Sequence, residues 1–214
     1  MAEQTRVYPP KFALLREGDL PTRIYRVVSG WASCSRTLPS GEPQIISLLL
    51  KGDVIGVTDM ISGSYRHSIE TRTAMALQSI SQAQLLRLAR EDNNVALWLT
   101  AYAARENLRI TNWLTVLSHG TAVEKIAILL MNVCERMELG SRMVRVPLTQ
   151  KEIGQHIGLT LPHVSRTLGT LRRLGAVQTR HGCIDIVDPD RLAQIAVNMT
   201  GLLDYRGGSF AQCA

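Results

Sequence analysis

The sequence lacks the long apolar stretches that would tie a protein to a membrane or to secretion. None of its apolar runs approaches the ~18–20 residues that a membrane-spanning helix needs. Charges and prolines interrupt the segment from Met1 to Arg16, where a secretory signal would carry an apolar core. We therefore expect a cytoplasmic protein that does not associate with a membrane.

Cysteine is scarce and scattered. The chain has four cysteines, Cys34, Cys134, Cys183 and Cys213, and no two of them form a C-x-x-C pair. This spacing argues against a zinc knuckle and against an iron–sulfur cluster held by cysteines. We expect reduced cytosolic thiols and no metal site.

Signatures of catalysis are also missing. The 214 residues contain no G-x-S-x-G, no H-E-x-x-H, no P-loop and no G-x-G-x-x-G. Acids in the N-terminal half, such as Asp19, Asp53 and Asp59, fall in predicted turns, where aspartate is favoured for local hydrogen bonding alone. We expect no enzymatic activity.

One stretch lacks negative charge altogether. The net charge is a moderate +6, but the segment from Leu159 to His181 carries several arginines and two histidines without a single carboxylate. A one-sided basic segment of this kind suits a polyanionic partner.

Residues 1–92 are predicted to form a β-rich domain. Short apolar runs alternate with Gly- and Pro-containing turns, as in a sandwich or barrel. The predicted strand segments are Ile24–Val28, Ile45–Leu50, Val54–Val57, Ile69–Thr73 and Leu85–Leu88.

No Gly or Pro occurs from residue 93 to 118, which predicts one continuous helix about 38 Å long. One apolar stripe has a spacing suited to packing within the protomer: Leu99, Ala103, Ile110, Trp113 and Leu117. A second stripe alternates steps of four and three residues, as in a coiled-coil seam: Leu97, Ala101, Ala104, Leu108, Thr111 and Thr115. We interpret the second stripe as a dimer seam, because the β-rich region can cover only one face. The alternative is that both stripes pack inside one protomer.

Residues 119–200 are predicted to hold a helix-turn-helix followed by a hairpin wing, and 201–214 a loose tail. Thr149 and Glu152 form an S/T-x-x-E capping box, and Gly158 ends the first helix. Thr160 is predicted to cap the second helix, and Pro162 fits its first turn. The alternation around His181-Gly182 predicts the hairpin.

The second helix is predicted to bury Val164, Leu168 and Leu171 and to expose an acid-free face. That face consists of Pro162, Ser165, Arg166, Gly169, Thr170 and Arg173, with His163 alongside. Arg166 can donate two hydrogen bonds to O6 and N7 of guanine, and Ser165 can serve several base edges in a major groove. Contacts to phosphates or flanking positions are predicted for Gln150, Lys151, Thr160, His163, Thr170, Arg173 and His181. The partner predicted from these residues is double-stranded DNA.

Nearly the whole chain resembles the cyclic-AMP receptor protein / fumarate-nitrate regulator (CRP/FNR) superfamily. The resemblance is strongest in three segments of the helix-turn-helix: Leu148–Gly154, Gly158–Thr160 and Val164–Leu168. In the N-terminal half, Glu17–Asp19, Ile24–Gly30 and Gly52–Gly56 are similar to the family's jelly-roll turns.

The resemblance implies an α+β protein with an N-terminal cyclic-nucleotide-binding-like β jelly-roll barrel, a dimerisation helix and a C-terminal winged helix-turn-helix. It further implies a homodimer on a palindromic operator and contact with RNA polymerase. By position, Ser165 and Arg166 are the base readers. Family members often carry glutamate where this chain has Pro162, so one base of the half-site is expected to differ.

The sensor half departs from the cyclic-nucleotide binders of the family. Those proteins bind the ribose with a glutamate just after the glycine turn and the phosphate with an Arg-Ser pair that follows. Here Val57 and Thr58 follow Gly56, and the later segment supplies Arg66, His67 and Ser68 as a candidate effector pocket. The iron–sulfur branch uses several N-terminal cysteines, whereas none precedes Cys34. We expect neither cyclic-nucleotide nor iron–sulfur control, and no haem on the candidate ligands His67, Cys34 and Met60.

Two further alternatives concern regulation and partner. Oxidation of Cys183 in the wing would add negative charge beside phosphates and weaken DNA binding, although the interpretation we favour is a small buried hairpin residue. The chain could also be a small-molecule-binding module whose basic C-terminal domain docks a protein. A regulator that needs no ligand would be controlled by its abundance.

Overall fold

The computed structural model describes residues 5–60, 62–136, 144–146, 148–180 and 183–196. The chain divides into two compact units, Met1–Arg105 and Glu106–Ala214. In the part that the model describes, no helix is long and apolar enough to span a bilayer.

Antiparallel strands build the first unit as two four-stranded sheets. The strands are β1 (Arg6–Tyr8), β2 (Ala13–Leu15), β3 (Arg23–Ser29), β4 (Ala32–Thr37), β5 (Pro43–Leu49), β6 (Val54–Ile55), β7 (Ser68–Thr71) and β8 (Met75–Ser81). A 3₁₀ turn at Thr58–Met60 follows β6. The sheet orders are β1-β8-β3-β6 and β2-β7-β4-β5. Both sheets contribute to one apolar core, whose buried members are Leu15, Val27, Ala32, Ile55, Tyr65, Ile69, Met75 and Leu77.

The last predicted strand segment is helical. Leu85–Leu88 lies inside helix α1 (Gln82–Glu91), so the strand prediction there was wrong. Ser81 caps this helix by accepting a hydrogen bond from the Gln84 amide, and only Leu85 is buried. A four-residue apolar run has no clear period, so the cap residue ahead of it was the more informative signal.

Helix α2 (Asn93–His119) is continuous over the predicted range and one residue longer. The stripe predicted for packing within the protomer was partly wrong, because Ala103 and Ile110 are exposed. The buried positions are instead Tyr102 and Val116. The Tyr102 hydroxyl donates to the Val54 carbonyl oxygen (2.7 Å) and accepts from the Val54 amide (3.3 Å), so this tyrosine fastens α2 to the edge strand β6.

The second unit holds helices around a small antiparallel sheet. Its elements after α2 are α3 (Ala122–Arg136), β9 (Val144–Val146), α4 (Gln150–Ile157), α5 (Leu161–Arg173), β10 (Val177–Arg180), β11 (Cys183–Ile186) and α6 (Pro189–Ile195). The sheet order is β10-β11-β9. Helix α3 contributes Ile126–Leu130 and Val133 to the core, against which α5 and α6 pack.

Candidate nucleic-acid interface

The first helix of the predicted pair begins at a complete capping box. The Thr149 hydroxyl accepts from the Glu152 amide (3.2 Å), and the Glu152 carboxylate accepts from the Thr149 amide (2.8 Å). Two amides at the start of α4 are thereby satisfied. The predicted capping box is present.

Two glycines make the turn between α4 and α5 tight. Gly158 ends α4 in the left-handed region (φ +70°), which glycine adopts without strain. Gly154 allows the chain to fold back, because its carbonyl oxygen accepts from the Leu159 amide at 3.1 Å. A Cβ on Gly154 would lie 2.5 Å from the Leu159 carbonyl oxygen. The short turn therefore requires glycine at 154.

Helix α5 has one buried and one solvent-facing side. Val164, Leu168 and Leu171 are buried as predicted, and Thr167 is buried with them. Each fully buried aliphatic side chain contributes about 1.5–3 kcal/mol to stability. This burial fixes the rotation of the helix, so the positions between these residues face outward.

The acid-free face predicted for α5 lies at the surface. Pro162, His163, Ser165, Arg166 and Arg173 are exposed, and Gly169 and Thr170 are half-buried. The Arg173 guanidinium donates to the Thr170 hydroxyl (3.0 Å), which holds this arginine along the helix. No acid lies in the first turn of α5.

The predicted phosphate contacts outside α5 have mixed exposure. Lys151 and Thr160 are exposed, and Gln150 is half-buried. Thr160 occupies the N-cap position predicted for it, but its side chain makes no capping hydrogen bond. The first amides of α5 consequently lack a side-chain cap. The positive end of the helix dipole lies at these amides, which favours an anion there.

The wing is a hairpin of β10 and β11 with β9 on its other side. In the register, Gln178 and Arg145 flank Asp185, and Arg180 pairs with Cys183. These residues share the outer face of the sheet, because Val177, Ile184 and Val146 alternate with them toward the core. His181, predicted at the tip, lies outside the described residues. The exposed Arg145, Gln178 and Arg180 were missed as surface groups, although strand alternation could have predicted them.

An ion pair fixes the outer face of the wing. The Arg145 guanidinium donates to both oxygens of the Asp185 carboxylate (2.8 and 3.3 Å). The Asp185 side chain is 1% exposed and that of Arg145 is 61% exposed. The hydrogen bond from Arg145 lowers the pKa of Asp185, so the carboxylate stays ionised at neutral pH.

An aromatic stack joins the end of α2 to the helix-turn-helix. The ring centroids of Trp113 and His156 are 4.9 Å apart with an interplanar angle of 18°. His156 belongs to α4 and is buried. The stack ties the rotation of α4 to the C-terminal half of the long helix.

The predicted dimer seam on α2 is a second exposed surface. Leu97 and Leu108 are 67% and 62% exposed, Ala104 and Thr111 are exposed, and Ala101 and Thr115 are half-buried. Leu114, which the seam prediction omitted, is 62% exposed nearby. Large apolar side chains left in water along one helix face are typical of a surface that a partner covers.

Comparison with known proteins shows the family. A model of the Crp-like helix-turn-helix domain matches residues 124–195, and a model of the cyclic nucleotide-binding domain matches residues 5–92. The nitrogen fixation regulation protein FixK of Bradyrhizobium diazoefficiens is 30% identical over 183 residues, which cover 84% of this chain and 76% of that protein. The chain belongs to the CRP/FNR family of transcription regulators.

Other CRP/FNR relatives agree with this assignment. FixK of Rhizobium meliloti is 30% identical over 189 residues, covering 88% of this chain and 85% of that protein. The solved structure of FixK2 from Bradyrhizobium japonicum matches with a TM-score of 0.80 and 26% identity, covering 91% of this chain and 98% of that one. The α+β fold expected from the sequence is confirmed.

The candidate effector residues of this CRP/FNR regulator have partners within the chain. Arg66 is exposed, and its backbone amide donates to the Asp59 carboxylate (3.1 Å). The Ser68 hydroxyl accepts from the Glu17 amide (3.1 Å), and His67 is half-buried. The family's glutamate does not follow Gly56, because Val57 and Thr58 stand there.

The interior beside these residues is filled with apolar side chains. Tyr65 is buried among them, and its hydroxyl donates to the Arg23 carbonyl oxygen (2.9 Å). A Cβ on Gly56 would lie 3.1 Å from that same oxygen. The glutamate that binds the ribose in the family's cyclic-nucleotide binders is therefore absent here, although a cyclic nucleotide needs polar partners for its ribose and phosphate.

The structure describes all three candidate haem ligands, His67, Cys34 and Met60. Burial raises the pKa of the Cys34 thiol to about 12, so it carries no thiolate at neutral pH. Within the described ranges, no group of three or more His, Cys, Asp or Glu side chains converges on a point.

Proposed function

We propose that this CRP/FNR-type regulator acts as a homodimer that recognises a palindromic operator in double-stranded DNA. The acid-free surface of α5 carries the proposal, because it exposes Ser165, Arg166 and Arg173 on a helix whose rotation is fixed by buried leucines. An exposed helix of this width fits the major groove of B-form DNA. Ser165 and Arg166 contact base edges. Pro162 faces one base, and its side chain has no acceptor for the N4 amino group of a cytosine.

The phosphate contacts are assigned to residues that border this surface. Gln150, Lys151, Thr160, His163, Thr170 and Arg173 bind backbone oxygens, and His181 does so from the wing. Such contacts fix the position of the protein but carry no sequence information. The cations among them release counterions on binding, which makes the affinity fall steeply with salt.

The seam on α2 forms the dimer. Its members are Leu97, Ala101, Ala104, Leu108, Thr111 and Thr115, whose small residues permit close helix approach. A two-fold axis along this seam would repeat α5 on both sides of the operator, as palindromic half-sites require.

Control by cyclic nucleotide, haem or an iron–sulfur cluster is not part of this proposal. The apolar barrel interior and the engaged Ser68 hydroxyl support a regulator whose activity follows its abundance. As a CRP/FNR-type regulator it would meet RNA polymerase on DNA in the cytoplasm.

The test is duplex binding at two salt concentrations. A random duplex pool is first enriched on the purified protein, and the selected sequence is then titrated at 50 and 200 mM salt. We expect a palindromic consensus and an affinity that falls at least about tenfold between these concentrations. A small-molecule-binding module that docks a protein through its basic domain would give no consensus and no salt-sensitive DNA affinity.

A further inference from the structure

Gly169 occupies a position in α5 where no neighbour among the described residues requires glycine. Glycine is among the least favourable residues in a helix interior. A Cβ at this position would have as its nearest neighbours the guanidinium nitrogens of Arg172 (3.7 Å) and Arg173 (4.0 Å). Both are ordinary contacts with the mobile ends of flexible side chains. Gly154 is the opposite case, since a Cβ there would meet backbone at 2.5 Å.

The backbone conformation of Gly169 does not require glycine either. It lies four residues before the end of α5, and it is not among the described glycines with positive φ. Any residue could adopt its helical conformation, and most would stabilise the helix. The absence of a side chain therefore has no explanation in the part of the protomer that the structure describes.

The location of Gly169 indicates that a partner of the protein accounts for the missing side chain. Ser165 and Arg173 stand one turn before and one turn after it on the acid-free face, and Arg166 is three residues before it. Glycine makes this the lowest point of the surface, flanked by side chains that extend beyond it. A partner can therefore approach the helix backbone here more closely than anywhere else on that face.

We propose that Gly169 is the close-approach point of α5, where the sugar–phosphate wall of the DNA groove comes too near for a side chain. This inference rests on the proposed function. The missing Cβ lets the helix sit deep enough for Arg166 to reach base edges, so Gly169 is a positioning residue for DNA recognition.

The experiment adds volume at this point in two steps, with Gly169→Ala and Gly169→Leu in the full chain. Operator affinity and thermal unfolding are measured for each variant. Gln194→Leu adds a leucine at an exposed position of α6 and is the control for added apolar bulk. We expect operator binding to weaken at least about threefold with alanine and more than about tenfold with leucine, while the control binds as the wild type.

Thermal unfolding separates this role from a structural one. Both substitutions improve helix propensity, so we expect the Tm of Gly169→Ala to rise by about 1–4 °C while its affinity falls. A lowered Tm, or leucine at 169 with unchanged affinity for the operator, would overturn the inference and leave the proposed function standing. A wild-type protein without salt-sensitive DNA affinity would overturn both.

Discussion

Leu159 folds back onto Gly154: its amide donates to the Gly154 carbonyl oxygen at 3.1 Å, and its own carbonyl oxygen fills the space of a Cβ on residue 154. We expect Gly154→Ala to destabilise the second unit by about 1–3 kcal/mol, because the added methyl group must push backbone aside. Urea unfolding followed by circular dichroism measures the loss. Lys151→Ala, at an exposed position of the same helix, should change stability by less than about 0.5 kcal/mol. Equal stabilities of the two variants would contradict the tight-turn interpretation.

Arg166 and Lys151 are predicted to affect DNA binding in different ways. Arg166→Ala should cost about 1–3 kcal/mol with the preferred operator and relax specificity at one base pair, because a bidentate contact to guanine is lost. Lys151→Ala should weaken binding to all duplexes alike and reduce the salt slope by about one unit. Titrations with the selected operator and its single-base variants measure both effects. The recognition-helix assignment is wrong if Arg166→Ala leaves discrimination between operator and random DNA intact.

The exposed face of α2 is predicted to hold the dimer together. Leu108→Glu should raise the dimer dissociation constant more than about tenfold, since it would bury two unpaired carboxylates in the seam. Sedimentation equilibrium measures the constant. Leu20→Glu is the matched control, because Leu20 is 74% exposed and lies outside α2. A dimer that survives Leu108→Glu, or that dissociates equally with Leu20→Glu, would place the interface elsewhere.

The Arg145–Asp185 pair should make the wing sensitive to acid. The folded-state pKa of Asp185 is lowered by Arg145, so its stabilising contribution is present above the unfolded pKa of about 3.9. The contribution is lost as the pH falls through the lower folded-state value. The difference in unfolding free energy between wild type and Asp185→Asn should therefore shrink in that window. A double-mutant cycle with Arg145→Gln isolates the pair, and a coupling independent of pH would refute it.

Cys183 allows a test of redox control. Its strand position opposite Arg180 puts it on the outer face of the wing, and its side chain is half-buried. A redox role predicts that mild peroxide lowers operator affinity and that Cys183→Ser abolishes the effect. Cys34→Ser is the control, because the raised pKa of Cys34 leaves no thiolate to oxidise. Unchanged affinity after peroxide would leave Cys183 as a small residue of the hairpin.

The helix-turn-helix could be predicted from sequence because its signals are local. Thr149 and Glu152 are three residues apart, and the apolar spacing of α5 repeats within three turns. The long helix α2 was equally accessible, since no Gly or Pro interrupts it. Local spacing determines such elements before any tertiary contact forms.

Other features were missed where contacts between residues distant in sequence decide. Ile110 is exposed, whereas Tyr102 is buried and its hydroxyl bonds Val54, 48 residues away. No periodicity within α2 contains that information. The ion pair between Arg145 and Asp185 likewise depends on the pairing of β9 with β11. The residue pattern within one β-strand does not specify which strand it pairs with.

The stack of Trp113 on His156 also gives the protein an internal optical reporter. Trp31 and Trp98, the other tryptophans of the chain, lie in the first unit. The emission of an indole depends on the groups that its ring contacts, so the emission of Trp113 should follow any rearrangement of α4 against the long helix. Replacing Trp31 and Trp98 by phenylalanine would leave one emitter, through which operator binding could be followed in real time without a dye.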